Sequence, residues 1–220
     1  MEYEDFEMIV STGRLKRYLA ACSHHQGRTI ALYRANLRLS GKTLLVISMV
    51  EIALRNAIDR HYLGIYGDDW LVSQSIPGGY LSLPGCERSR ATAQKAINEL
   101  GDRYAHDKAL AELNFGFWRY AFGLKEFAAA GSTLLQIFPN RPRGISQREV
   151  FIRLGEIHDL RNRIVHHDPI CFGGANKSTA KVETAYRYAT EFIEWFGMNK
   201  VTVLQDLDFV QEEIECIARI

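Results

Sequence analysis

A chain of 220 residues with 47% hydrophobic and 24% charged side chains has room for one well-buried core and needs no second domain. A formal net charge of +1 supplies no global attraction to nucleic acid. It excludes a general RNA-coating protein, whose affinity rests on neutralising phosphates, but not a nuclease with a local basic surface.

Helical periodicity runs through the chain and no alternating strand pattern appears, so the expected class is all-α in a single domain over 1–220. Leu15, Tyr18 and Leu19 stand at core spacing in a first helix from Ser11 to about Cys22. A second helix is expected from about Gln26 to Leu39, and Ser40 then reads as the N-cap of a long helix reaching Tyr66. These N-terminal helices fill 1–66. Pro77, Gly78, Gly79, Pro84 and Gly85 make 67–85 a long loop, open to a role over a substrate groove or as a plain surface excursion. Helices follow over Glu87–Tyr104 and Phe115–Ala130, and Pro139, Pro142 and Gly144 mark the next break. Ser146 and Glu149 have capping-box spacing ahead of a helix over about 145–168. Past Gly173-Gly174, C-terminal helices over about Ser178–Phe196 and Val201–Ile220 complete the region 176–220.

Four cysteines (Cys22, Cys86, Cys171, Cys216) form no C-x-x-C pair and read as reduced thiols. His24-His25 and His166-His167-Asp168 hint at metal ligation, but no spacing completes a four-ligand set, so neither metal nor organic cofactor is expected. The acidic start lacks the apolar stretch of a signal peptide, and Leu44–Val50 is too short to span a bilayer. The expectation is a cytoplasmic protein with no membrane partner.

The densest chemistry lies in Leu160-Arg161-Asn162-Arg163-Ile164-Val165-His166-His167-Asp168-Pro169. Asn162 and His166, four residues apart, share a helix face, and the long Arg161 side chain swings onto it. Guanidinium suits phosphate oxygens, imidazole both takes and gives protons near neutrality, and the amide orients one or the other without adding charge. Pro169 stops the helix, leaving His166 in its last turn at the negative end of the dipole. This set suits cleavage of RNA by its own 2′-hydroxyl, which requires only proton transfer and charge stabilisation. By spacing alone, arginine and histidine at a helix end more often serve the dipole or a surface ion pair. An arginine-rich stretch (Arg141, Arg143, Arg148, Arg153, Arg161, Arg163) reads as an RNA face or a solvated one. Phe115-Gly116-Phe117-Trp118 suits core or dimer packing better than base stacking. Arg55-Asn56 with His61 echoes the motif, and Glu51 stands one turn before Arg55, where the two can pair.

Leu160–Pro169, read as LRNRIVHHDP, resembles the signature of the HEPN superfamily, and within it the chain is similar to the bacterial Abi-like (abortive infection) proteins. Three further segments follow the family's order: Ile30–Ser40, Glu51–Ile58 and Glu112–Trp118. The resemblance implies an all-α HEPN-type helical bundle with additional flanking helices, working as a homodimer. Active members are metal-independent endoribonucleases that leave a 2′,3′-cyclic phosphate and a 5′-hydroxyl. Residue by residue it assigns Arg161 to the phosphate, Asn162 to orienting the histidine and His166 to proton transfer. Arg163, His167, Glu51, Arg55 and Asn56 are candidates for RNA contact or for support behind the trio. Val165 and Asp168 stand where relatives often carry alanine and glutamate. The implied partners are RNA, a second copy of the chain and a neutralising antitoxin, protein or RNA; the implied role is phage defence or a restrained toxin. A non-catalytic HEPN module that binds RNA, a nucleotide or a protein is the alternative, and a purely structural or antitoxin-like regulator is a third.

Overall fold

The computed structural model describes residues 2–220 and holds twelve α-helices and one minimal hairpin among them. In chain order the helices are α1 (Tyr3–Val10), α2 (Thr12–Ala21), α3 (Gln26–Tyr66), α4 (Trp70–Ser75), α5 (Glu87–Leu100), α6 (His106–Glu112), α7 (Phe115–Tyr120), α8 (Leu124–Ala129), α9 (Gln147–Val165), α10 (Ala180–Trp195), α11 (Lys200–Val203) and α12 (Val210–Arg219). Strands β1 (Phe172–Gly173) and β2 (Asn176–Lys177) pair antiparallel, Phe172 opposite Lys177. The class is all-α.

Helix α3 is the spine. Its 41 residues rise about 60 Å at 1.5 Å per residue. Leu32, Leu39, Val46, Val50, Leu54 and Ile58 recur at helical spacing and are buried, and α2, α9, α10 and α12 all pack against it. The two helices expected on either side of Ser40 are therefore one. Ser40 is not an N-cap: it is buried mid-helix with its hydroxyl unpartnered, as is that of Thr43. Burial of Leu39, Val46 and Ile47 on both sides of the serine outweighs its weak preference for a helix start.

Residues 67–85 are not a loop over a groove. They contain α4 and a 3₁₀ turn, Tyr80–Ser82, and Trp70, Leu71, Tyr80 and Leu81 are buried. Aromatic packing holds them to the end of α3: Tyr62 meets Trp70 edge-on at 4.9 Å and Tyr66 stacks on Tyr80 at 5.6 Å. Gly79 lies so close to the Gln74 backbone that a Cβ there would sit 2.4 Å from its Cα, so glycine marks a tight return of the chain.

Other boundaries also differ from the periodic reading. Phe115–Ala130 is split into α7 and α8 by the turn at Ala121–Gly123, and 201–220 into α11 and α12, with Asp206 at φ 61° between them. Helices α1 and α6 lie where no helix is expected from the pattern. All four cysteines are free; burial pushes the Cys171 thiol up to about 12, so it stays protonated near neutrality. No helix among the described residues is long and apolar enough to cross a membrane.

Candidate functional site

Helix α9 begins as its sequence predicts: Ser146 is the N-cap and its hydroxyl accepts from the Glu149 N–H at 3.3 Å. Val150, Leu154, Ile157, Leu160 and Ile164 form its buried stripe, set against α3 and α10. That stripe leaves Arg161 and Asn162 at the margin of the packed surface, half-buried, and His166 in solvent.

The helix ends in a Schellman turn. Asp168 N–H donates to the Arg163 carbonyl at 2.8 Å and His167 N–H to Ile164 at 2.9 Å, with His167 in the left-handed region at φ 57°. Three further ties fix this end. Arg14 of α2 donates to the His167 carbonyl at 2.7 Å, and the Arg163 guanidinium donates to the Pro169 carbonyl. From α3, the buried Asn36 accepts from both Ile170 N–H (2.9 Å) and Cys171 N–H (3.1 Å). Arg163 and His167 thus serve the turn through a side chain and a backbone respectively. The Ile30–Ser40 segment reaches the motif through Asn36.

Arg161 faces Glu51 across a gap of 3.9 Å from Nε to Oε2. That exceeds hydrogen-bonding distance, so the guanidinium is attracted but not locked. Burial pushes the Glu51 carboxyl upward, opposed by Arg161 and Arg55. The expected Glu51–Arg55 pair is absent among the described residues: Arg55 Nε instead donates to Asn56 Oδ1 at 3.3 Å, and Asn56 is exposed. His61, the echo of the motif, is bonded to Thr133 Oγ1 at 2.9 Å and belongs to the packing between α3 and the Leu134–Ile137 turn.

Asn162 does not orient His166. Its Nδ2 lies 3.2 Å from His158 Nε2, one turn earlier, because side chains on a helix lean towards its N-terminus. His158 stacks on Phe115 (5.7 Å between centroids, 14° between planes), the first residue of the FGFW cluster. Burial holds its imidazole below the ordinary value; Arg119 and Arg161 act in the same direction, while Asp159 (Oδ1 at 3.4 Å) opposes them. Phe115, Phe117 and Trp118 are buried, which makes the cluster a core feature.

His158 and Arg119 were not among the residues expected at the site. The histidine stands three and four residues before Arg161 and Asn162, a spacing present in the sequence. For Arg119 the one sequence signal is Gly155 inside α9: a Cβ there would lie 2.7 Å from an Arg119 Nη, so the glycine admits the guanidinium. Arg119 then lies over the Phe151 ring at 4.3 Å. Of the arginine-rich stretch, Arg153 is paired with Glu149 (2.8 Å) and Glu191, and Arg141 donates to the Ile145 carbonyl, whereas Arg143 and Arg148 are exposed.

Compared with models of protein families, with curated proteins and with solved structures, the chain has no match. What the site can do follows from its geometry alone. Along α9 the two imidazoles are eight residues apart, about 12 Å at 1.5 Å per residue. They cannot serve one phosphodiester from the same helix. One chain therefore offers one loosely paired arginine and, beyond it at the end of α9, the adjacent solvent-facing imidazoles of His166 and His167.

Proposed function

We propose that the protein is a metal-independent endoribonuclease of the Abi-like HEPN type, acting in phage defence or as a toxin restrained by an antitoxin. One observation carries this reading: at the end of α9, Arg161 is only loosely paired and His166 is exposed with no side-chain partner among the described residues. Arg161 neutralises the scissile phosphate. His166 takes the proton of the ribose 2′-hydroxyl as its oxygen attacks phosphorus; the P–O5′ bond breaks, and the departing 5′-oxygen receives a proton. The products are a 2′,3′-cyclic phosphate and a 5′-hydroxyl.

The reading includes a homodimer with two motifs facing across a two-fold axis, in which His166 of one protomer takes a proton while its counterpart delivers one. Exposed apolar residues support it: Leu37 and Leu45 on α3, and Val165 next to His166. The non-catalytic module remains the second reading, favoured by the engagement of Asn162 with His158, which leaves His166 without an orienting group from its own chain.

Purified protein should cut single-stranded RNA in EDTA, and His166→Ala should abolish cleavage. Cleavage that survives in His166→Ala sinks the assignment. RNA binding without cleavage by the wild type, lost in Arg161→Ala but kept in His166→Ala, supports the module.

A further inference from the structure

A cavity of about 240 Å³ opens beside Arg161, lined by Ser48, Glu51, Ile52 and Arg55 of α3 together with Leu113 and Trp118. It is smaller than the roughly 300–1,000 Å³ of sites for drug-sized ligands, and so suits one ring system. Its polar groups are divided by sign. Glu51, when ionised, only accepts; Arg55 only donates. Trp118 is fully buried and backs the wall, its Nε1–H sealed from the cavity. Arg55 is engaged only with its neighbour Asn56 among the described residues. Ile52 and Leu113 supply apolar wall. Glu51 belongs both to the cavity and to the loose pair with Arg161, so it stands at the joint between the two.

We infer that this cavity is a guanine subsite, holding the base of the nucleotide whose phosphate lies at Arg161. The inference rests on the nuclease reading and adds a base preference to it. Guanine carries two adjacent donors, N1–H and N2–H, that a carboxylate accepts together, and beside them the acceptor O6, which suits Arg55. Adenine and cytosine turn a ring-nitrogen acceptor towards the carboxylate. Uracil offers a single N–H between two carbonyl oxygens. Only guanine matches a bidentate acceptor with a donor beside it.

The test is calorimetric titration of the full chain with guanosine 3′-monophosphate, adenosine 3′-monophosphate and inorganic phosphate. The guanosine nucleotide should bind saturably and on the order of tenfold tighter than the adenosine one. Glu51→Gln should bring the two to similar affinity, and Arg161→Ala should weaken both while preserving their ratio. Arg55→Leu removes the donor to O6 and should reduce the preference. Equal affinities, no saturable nucleotide binding, or a preference that survives Glu51→Gln would overturn the subsite. Cleavage is scored separately: EDTA-resistant cutting with no guanine preference beside the cut keeps the nuclease and overturns the subsite, whereas guanosine preference without cutting does the reverse.

Discussion

Replacing Asn36 should loosen the end of the motif helix from 130 residues away in sequence. Its side-chain oxygen accepts two backbone N–H groups, Ile170 at 2.9 Å and Cys171 at 3.1 Å, and the residue is only 3% exposed. Removing the acceptor leaves two buried donors unpaired, each worth about 1–3 kcal/mol. Entry of water relieves part of this, which leaves a loss of about 2–4 kcal/mol. For a chain of this length, each kcal/mol shifts Tm by roughly 2–4 °C, so Tm should fall by about 4–16 °C. Asn36→Leu keeps the branching and the number of side-chain heavy atoms without the acceptor and leaves no cavity, and should be as destabilising as Asn36→Ala, which separates hydrogen bonding from cavity formation. Urea denaturation gives the free energy, and amide exchange at Ile170 and Cys171 should accelerate selectively. An Asn36→Leu variant within about 0.5 kcal/mol of wild type would refute the reasoning.

Three further outcomes are expected. His167→Gly relieves a left-handed backbone costing a non-glycine residue about 1–2 kcal/mol, less about 0.5–1 kcal/mol of added unfolded-chain entropy. Tm should rise by up to about 6 °C, and a fall in Tm contradicts it. Asp59→Ala removes one oxygen that accepts both Trp70 Nε1–H and His106 Nε2, each at 2.8 Å, and strands a buried indole; a loss of about 2–4 kcal/mol is expected in chemical denaturation, and near-neutral stability counts against it. His158 is held below its ordinary value of 6.5 by burial, with Arg119 and Arg161 adding to the effect, so the unfolded chain binds the proton more readily. Stability from this group is full above pH 6.5 and is lost as pH falls through the lower folded value. Histidine ring NMR should therefore show a midpoint under 6.5, and His158→Gln should flatten the decline of stability below that pH; an unaltered slope argues against a neutral buried ring.

Local features of the site were written in consecutive residues and could be read without a structure. Ser146 with Glu149 set the start of α9, because a cap acts within one turn of chain, whereas the helix stops at Val165, ahead of the end expected from Pro169, where His167 turns left-handed. The apolar spacing of Val150, Leu154, Ile157 and Ile164 fixed which side of that helix is buried. The same kind of signal misled around Ser40 and over 67–85. A serine that caps in isolation was overruled by apolar neighbours on both sides, and a segment rich in proline and glycine was folded into the core by Trp70 and Tyr80.

The sequence by itself determined an all-α chain and a helix carrying Arg161 and Asn162 in its last turns, with His166 at its end, since both follow from periodicity and end signals over a few residues. Only the tertiary structure decided their partners. It brought Glu51 to Arg161 rather than to Arg55, joined Phe115 to His158 and so tied Asn162 away from His166, and anchored the residues after Pro169 on Asn36. These contacts depend on how helices cross and which side chains then meet, and spacing along one helix carries no record of a partner on another.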